Sequence, residues 1–227
     1  MCGRFLLTSL PDEFSALYDL PVGREGLPWS PRYNIAPSQP VLIVRLDATG
    51  ARELALARWG LIPSSARDTG SAYHTINARA ETVATKPTFR EAFRQRRCLV
   101  PADGFYEWQA SLHGRSKTPY CVRRADGRPF AFAGLWDRWR APDGKVIESC
   151  SIITTAANEV VHPIHDRMPV ILTDEQFARW LDPATRPQAL AGLLVPAVTA
   201  LEVYPVSTLV NRPENDQPEC IVPIVIG

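Results

Sequence analysis

The sequence carries almost no net charge. It contains 25 Lys and Arg residues against 24 Asp and Glu residues, which leaves a formal charge of +1 at pH 7. A strongly basic chain would indicate nucleic-acid binding by charge alone. This composition excludes that argument, so any contact with nucleic acid has to come from a local cluster of arginine and lysine.

The sequence also lacks the segments typical of exported and disulfide-bonded proteins. No charged region followed by an apolar run marks its first residues, and no apolar stretch suggests a membrane span. The five cysteines are odd in number and include no CxxC pair. These features predict a cytoplasmic protein with reduced thiols. Cys98, Cys121 and Cys150 lie in extended apolar runs, and we expect them to be buried structural thiols.

Proline is abundant by contrast, with 21 residues among 227. Because proline removes a backbone donor and restricts the residue before it, we expect short strands and loops rather than long helices. Strand patterns follow one another from residue 97 to residue 155, and closing strands are expected at 201–207 and 219–226. Helical patterns are confined to residues 11–18, 86–97, 173–181 and 187–194. The sequence therefore predicts an α+β fold, a strand-rich mixed domain over 1–227 with curved, barrel-like sheets and a few short flanking helices.

The second residue, Cys2, is the first candidate for chemistry. Removal of Met1 would leave Cys2 with a free α-amine and a thiol on adjacent carbons. This 1,2-aminothiol reacts with aldehydes in a way that neither group can alone. The alternative is an incidental cysteine at the start of a first strand, and the residue by itself leaves both interpretations open.

Two further segments carry groups that can move protons. Glu107 lies in GFYEW on the same strand face as Phe105, either on a solvated edge, which the strand alone slightly favours, or in a cleft where burial would raise its pKa. His162 and His165 lie in HPIHDRMP, a proline-bounded loop typical of a fixed functional segment or a structural histidine. A metal site with Cys2 as third ligand is the alternative. No other His or Cys pair has ligand spacing, so no metal is predicted.

Asn77 and Arg79 lie two residues apart in HTINARAET, so on a strand their side chains would point the same way. Asparagine offers a donor and an acceptor together, and arginine matches phosphate geometry. Residues 86–97 add five basic residues against one glutamate. This segment is either a solvated helix face or a phosphate-contacting strip.

Taken together, these segments resemble the SRAP (SOS-response-associated peptidase) family. The matching blocks are MCGRF at the start, YNIAPSQ at 33–39, RWGLIP at 58–63, INARAET at 76–82, RRCLVPADGFYEW at 96–108, IHDRMPVIL at 164–172 and VNRPENDQPECI at 210–221. They occur in the family's order and extend over nearly the whole chain. The resemblance implies one SRAP-like domain that crosslinks covalently to abasic sites in single-stranded DNA.

The resemblance also implies residue roles. The amine of Cys2 would condense with the open-chain sugar aldehyde and its thiol would close a thiazolidine ring, a lyase-like Schiff-base chemistry. Asn77, Glu107 and His165 would complete the catalytic set. The implied DNA-binding residues are Arg4, Arg79, Arg167, Pro40, Trp59 and Trp108. For the tryptophans, buried packing is the alternative. No cofactor is implied, and the expected partner of this monomer is abasic single-stranded DNA at the nucleoid, not a membrane.

One departure and two other functions stay open. After RWGLIP the family usually shows an aromatic residue within two positions, whereas SSARD follows here, so we expect a stacking or packing contact near Ser65 to be missing. One alternative function is a cysteine hydrolase of the N-terminal-nucleophile type, including thiol-dependent processing of Met1. It would use Cys2 with Glu107 and His165 and would need an oxyanion pocket. The other is a non-catalytic single-strand-binding module built on the arginine cluster.

Overall fold

The structure, a computed structural model, describes residues 2–9, 11–20, 30–111 and 117–225. Its strands are β1 (Phe5–Leu7), β2 (Arg32–Ile35), β3 (Pro40–Leu46), β4 (Arg52–Trp59), β5 (Asn77–Arg79), β6 (Arg97–Ala102), β7 (Gly104–Ala110), β8 (Lys117–Arg124), β9 (Phe130–Arg140), β10 (Val146–Ala156), β11 (Arg167–Pro169), β12 (Ile171–Leu172) and β13 (Leu201–Pro205). Its α-helices are α1 (Pro11–Leu17), α2 (Pro87–Gln95), α3 (Phe177–Leu181) and α4 (Pro187–Leu190). Short 3₁₀ turns lie at Gly70–His74, Asp174–Gln176, Ala191–Leu193, Thr208–Asn211 and Pro218–Ile221.

Five strands close into a barrel. β3 pairs with β4 and β6, and β9 pairs with β6 and β10, all antiparallel. The parallel pairing of β10 with β4 completes the ring. β5 and β11 add to β10, and β12 adds to β9. The predicted α+β fold with a barrel-like sheet and short helices is confirmed.

A second sheet holds the N-terminal strand against the GFYEW segment. Its strand order is β13-β8-β7-β1-β2. β1 pairs antiparallel with β7, Phe5 facing Phe105 and Leu6 facing Gly104. A side chain at Gly104 would approach the Val122 carbonyl oxygen to 2.8 Å, so glycine is needed where these strands come together.

Aromatic rings join the two sheets. The Phe5 ring lies 5.1 Å from the Trp59 ring and 5.8 Å from the Phe132 ring, in edge-to-face geometry. Phe105 contacts Phe132 from the neighbouring strand at 6.2 Å. Each such pair contributes about 0.5–1.5 kcal/mol beyond the burial of apolar area. The next residue, Tyr106, packs in a separate cluster on the other side of the sheet, which confirms the predicted alternation along GFYEW.

Several local expectations can be compared with the structure. Cys98, Cys121 and Cys150 are 0% exposed, as predicted. The expected closing strand at 219–226 is wrong over its described residues, 219–225, because the chain forms a 3₁₀ turn at Pro218–Ile221 and then an isolated bridge between Val206 and Pro223. Proline has no backbone N–H to donate to a neighbouring strand, and Pro223 lies in the middle of that segment.

Within the described ranges, no helix is both long and apolar enough to span a membrane.

Candidate functional site

The first residues of the chain run beside β7. The Tyr106 N–H donates to the Arg4 carbonyl oxygen at 3.0 Å. Continuing the β1–β7 register by two residues beyond the Phe5–Phe105 pair places Gly3 opposite Glu107. Cys2 is 0% exposed and belongs to the main core cluster. The strand pairing therefore brings the second residue of the chain next to the carboxylate of GFYEW.

Asn77 holds this N-terminal segment from the barrel side. β5 pairs in parallel with β10, and the Asn77 Nδ2 donates to the Cys2 carbonyl oxygen at 2.7 Å. The Asn77 Oδ1 is buried and has no hydrogen-bond partner among the residues that the structure describes. Along β5, Ala78 is buried while Arg79 is exposed, so Asn77 and Arg79 share the face opposite Ala78, as predicted.

Glu107 lies inside the sheet and is only 3% exposed. β7 is flanked by β8 and β1, so the interpretation of Glu107 as a solvated edge residue is wrong. On the same face, Gln109 donates through Nε2 to the Pro163 carbonyl oxygen at 3.0 Å. β7 thus carries Glu107 between the core and the loop that holds His165.

Burial raises the pKa of two acidic groups in this pocket, the Glu107 carboxyl and the Cys2 thiol. It raises the pKa of Glu107, and the nearby His165 opposes that rise in part. Burial raises the pKa of the Cys2 thiol well above its ordinary range, and the Glu107 charge raises it further. Cys2 and Glu107 are therefore coupled electrostatically, as are Glu107 and His165. The thiol stays protonated near neutral pH.

His165 is held by its own loop. The Arg167 backbone N–H donates to His165 Nδ1 at 2.9 Å, so Nδ1 accepts and the neutral ring carries its proton on Nε2. The Asp166 carboxylate also lies 2.9 Å from Nδ1, but this contact needs a proton on Nδ1. The backbone donor is fixed, whereas Asp166 is exposed and can rotate, so the Nε2–H tautomer is favoured. The Asn158 carboxamide oxygen accepts the Val161 N–H at 3.1 Å and fixes the turn before His165.

A basic cleft opens beside Asn77. It has a volume of about 500 Å³. Its lining residues are His74, Asn77, Arg79, Thr82, Thr85, Lys86 and Phe89. The Lys86 ammonium lies 5.5 Å from the centre of the Phe89 ring. Arg79 and Lys86 are exposed, so both cations are accessible in this cleft.

The other predicted arginine ligands already have protein partners. Arg167 forms a two-pronged ion pair with Glu81 and donates to the Thr154 carbonyl oxygen. Arg4 donates through Nη1 to Asn34 Oδ1 at 2.7 Å and to the Val210 carbonyl oxygen at 2.6 Å.

The remaining predicted DNA contacts lie in different environments. Trp59 is 0% exposed and donates through Nε1 to the Ile76 carbonyl oxygen, so its predicted DNA contact is wrong: it has no surface on which a base could stack. Trp108 is half-buried and donates to Asn211 Oδ1 at 2.7 Å. Pro40 is exposed at the start of β3.

The basic segment 86–97 divides into two groups. Lys86, Arg90 and Arg94 are exposed. Arg97 is 3% exposed, and it donates to four backbone carbonyl groups, including Trp180 and Asp182. Arg96 lies 3.1 Å from the Asp137 carboxylate. Two of the five cations therefore have structural partners, which the linear charge pattern did not reveal.

The segment that departs from the family pattern is held by two hydrogen bonds to residues of β9. The Ser64 N–H donates to Asp137 Oδ2 at 2.9 Å, and the Trp139 Nε1 donates to the Ala66 carbonyl oxygen at 2.8 Å. Ser65 is exposed. Further along the chain, the aromatic residue Tyr73 is 68% exposed.

In the ranges that the structure describes, no group of three His, Cys, Asp or Glu residues could hold a metal ion. His162 is exposed on the loop, and no role is assigned to it.

Sequence reasoning missed two acidic residues inside the matching blocks. Glu81, in INARAET, contacts Arg167. Asp216, in the closing block, accepts hydrogen bonds from the backbone N–H groups of Tyr33 and Asn34. The one available signal was that Glu81 and Asp216 lie within the sequence blocks that match the family. Nothing in their local sequence indicates a partner so far away along the chain.

Known proteins resemble this chain over nearly its full length. A family model described as SOS response associated peptidase (SRAP) matches residues 1–213. The chain is 45% identical over 227 residues to abasic site processing protein YoqW of Bacillus subtilis (strain 168), covering 97% of this chain and 99% of that protein. It is 34% identical over 267 residues to abasic site processing protein HMCES of Xenopus tropicalis, covering 100% of this chain and 79% of that protein. A crystal structure of a protein from Bacteroides thetaiotaomicron matches with a TM-score of 0.85 at 29% identity, covering 99% of this chain and 100% of that one.

Proposed function

Because the chain belongs to the SOS response associated peptidase (SRAP) family, we propose that it processes abasic sites in DNA by crosslinking to them through Cys2. Two of its relatives are named as abasic site processing proteins. The observation that carries the proposal is the convergence of Cys2 with Asn77, Glu107 and His165, which come from four distant parts of the sequence.

The proposed reaction uses both nucleophiles of Cys2. After removal of Met1, which lies outside the described residues, the α-amine attacks the aldehyde carbon of the open-chain sugar, and loss of water gives an imine. An α-amine has a reference pKa of about 7.7–8.0, so part of it is unprotonated at neutral pH. The thiol sulfur then adds to the imine carbon and its proton passes to the nitrogen. This closes a five-membered thiazolidine, and holding both groups on one residue makes the second step intramolecular.

Glu107 and His165 are proposed to move the protons. A carboxyl group whose pKa is raised by burial can hold a proton for the departing water and return it, so Glu107 suits both the amine and the sugar. His165 presents an Nε2–H donor, which suits protonation of the ring oxygen as the sugar opens. Asn77 positions the Cys2 end through its bond to the carbonyl oxygen.

The DNA is proposed to be single-stranded and to lie along the basic cleft. Arg79 and Arg167 would contact the phosphates that flank the lesion, with Arg4, Pro40 and Trp108 as further contacts. The chain would act as one domain over 1–227, as a monomer in the cytoplasm that associates with the nucleoid when DNA is bound.

The second candidate is a cysteine hydrolase that could also process Met1. It needs a thiolate, or a base that can generate one. The raised pKa of the Cys2 thiol favours a protonated sulfur instead. A reaction in which the amine attacks first agrees better with this electrostatic setting.

Intact-protein mass measurement after mixing with a single strand carrying one abasic site tests the proposal. The mature protein should gain the mass of the oligonucleotide minus one water and keep it through heat and detergent. A form with Met1 retained should give no stable adduct, because its Cys2 nitrogen is an amide. Cys2→Ala should give an adduct only after borohydride reduction, because it stops at the imine. A heat-stable adduct from the Met1-retained form would contradict the aminothiol reaction and favour the hydrolase.

A further inference from the structure

Glu81 and Arg167 form an ion pair between the two sides of the site. Arg167 Nη1 lies 2.5 Å from Glu81 Oε1, and Nη2 lies 2.9 Å from Oε2. Glu81 follows β5, which carries Asn77, and Arg167 begins β11, directly after the His165 loop. The pair therefore connects two segments that the sequence separates by 86 residues.

The middle strand of this region completes the arrangement. β10 pairs with β5 on one side and with β11 on the other. Arg167 Nη2 also donates to the Thr154 carbonyl oxygen of β10 at 2.7 Å. The Arg167 guanidinium is thus hydrogen-bonded both to Glu81, which follows β5, and to the backbone of β10. Its Nε is buried and has no acceptor among the described residues.

These contacts leave Arg167 poorly placed to attract phosphate. Its side chain is only 16% exposed, and the Glu81 carboxylate neutralises its charge. The hydrogen bond from Arg167 lowers the pKa of Glu81, so this carboxylate stays ionised at neutral pH. Glu81 is 53% exposed on its outer side, so the carboxylate has room to turn into solvent.

We propose that Glu81 is a specificity-determining residue, a carboxylate that competes with DNA phosphate for Arg167 and so weakens binding to undamaged single strands. The inference rests on the proposed function. Single-stranded DNA without a lesion has to displace Glu81 from Arg167, and this lowers its net binding free energy. DNA with an abasic site is retained by the covalent bond to Cys2 instead. Exposed ion pairs are weak enough for a phosphate to exchange with the carboxylate.

The test compares Glu81→Gln with Asp126→Asn, which serves as a matched control. Asp126 forms a similar two-pronged pair with Arg124 and is 47% exposed. It lies beyond the end of β8, six residues past Tyr120, the strand partner of Glu107. Each substitution removes one negative charge, so a general electrostatic effect would appear equally in both. Thermal unfolding of each variant shows whether it is folded.

The probe is an undamaged fluorescent oligothymidine, titrated at several salt concentrations. We expect Glu81→Gln to tighten binding by about threefold to fivefold relative to Asp126→Asn, the range of a released surface ion pair. The plot of log affinity against log salt should steepen by about 0.7, as for one added phosphate contact on a single strand. Adding Arg167→Gln should abolish both gains.

Crosslinking supplies a second measurement. With abasic DNA, Glu81→Gln should keep the maximal single-turnover rate and reach half of it at a lower DNA concentration. Excess undamaged strand should slow the variant more than the parent protein. Equal or weaker binding by Glu81→Gln than by Asp126→Asn would overturn the inference, since Glu81 would then only support the fold. If the parent protein forms no crosslink, the proposed function fails, while the binding comparison still decides the role of Glu81.

Discussion

At the scale of single residues, the catalytic role proposed for Glu107 conflicts with the stability of the folded protein. Its carboxyl is 3% exposed, and burial raises its pKa. A buried charge costs folding free energy unless its partners compensate it fully. Because the folded pKa lies above the unfolded one, the folded protein binds this proton more tightly. The associated stability is present at low pH and is lost as pH rises through the folded pKa.

Glu107→Gln should therefore stabilise the folded protein and slow its crosslinking to abasic DNA. We expect the free energy of unfolding to rise by about 1 kcal/mol at pH 8, because the amide removes the buried charge. The gain should shrink towards pH 4, where the carboxyl of the parent protein is protonated. Crosslinking should slow by about a hundredfold with loss of a proton-transfer group. Urea unfolding at both pH values and single-turnover crosslinking measure these effects.

A stability gain of equal size at pH 4 and pH 8 would contradict this account. It would mean that the glutamine packs better and that the charge of Glu107 is not the cause.

The sequence predicted some side-chain environments and not others. Alternation in GFYEW placed Phe105 and Glu107 on one face because that depends only on strand geometry. It could not show whether β7 is central or at an edge, since this depends on β1 pairing with it from about 100 residues away. For the same reason the sequence left both alternatives open for Trp59, DNA contact or buried packing, and missed the structural use of Arg97.

At the scale of elements, the closing segment of the chain is fastened to an edge strand. β2 is at one end of its sheet, so a side of its backbone lacks a strand partner there. The Asp216 carboxylate accepts from the N–H groups of Tyr33 and Asn34 and from the Arg32 guanidinium. The Asn34 Nδ2 in turn donates to backbone carbonyls of the closing segment, including Asn215 at 2.8 Å. This exchange covers an edge that would otherwise be open to another strand.

Asp216→Ala should weaken the attachment of the closing segment to β2. We expect the free energy of unfolding to fall by about 1–3 kcal/mol, because backbone donors lose a charged acceptor. Limited proteolysis should cut within residues 208–225 faster than in the parent protein. Glu219→Ala removes an exposed carboxylate of the same segment and should change neither measurement. Equal protection of Asp216→Ala and Glu219→Ala would show that apolar packing alone holds the segment.

The elements differ in how far the sequence predicted them. The hairpin of β3 and β4 and the helix α2 follow from local periodicity and turn residues. The 219–226 segment has an apolar, strand-like composition, but its described residues form a 3₁₀ turn and a bridge at Pro223, and Asp216 before it is bonded to β2. Long-range bonds of this kind leave no local periodicity in the sequence.

At the scale of the whole molecule, charge is distributed unevenly although the total is +1. Arg79 and Lys86 line one cleft, while Arg96 and Arg97 are used within the protein. Binding to single-stranded DNA should therefore depend on salt through a few cations rather than through the net charge.

Lys86→Ala should flatten the salt dependence of binding to single strands by about 0.7 in the log–log slope, because one phosphate contact is lost. Arg94→Ala removes an equal charge from the same segment but outside the cleft, and should have a smaller effect. Fluorescence titration at several salt concentrations measures both. Equal slopes for the two variants would indicate that the segment acts as a diffuse positive field and not as part of the cleft.

The pairing of β1 with β7 also has a consequence for how the protein is made. Cys2 is synthesised before its neighbours Asn77, Glu107 and His165, which leave the ribosome much later. At about 5–20 residues per second, the interval between Cys2 and His165 is roughly ten to thirty seconds. Under the proposed reaction, a Cys2 residue freed of Met1 during this interval lies on an incomplete chain and is accessible to small metabolic aldehydes. If Cys2 reacts as proposed, slow folding would therefore leave a larger fraction of molecules whose Cys2 is already blocked by an aldehyde before they bind DNA.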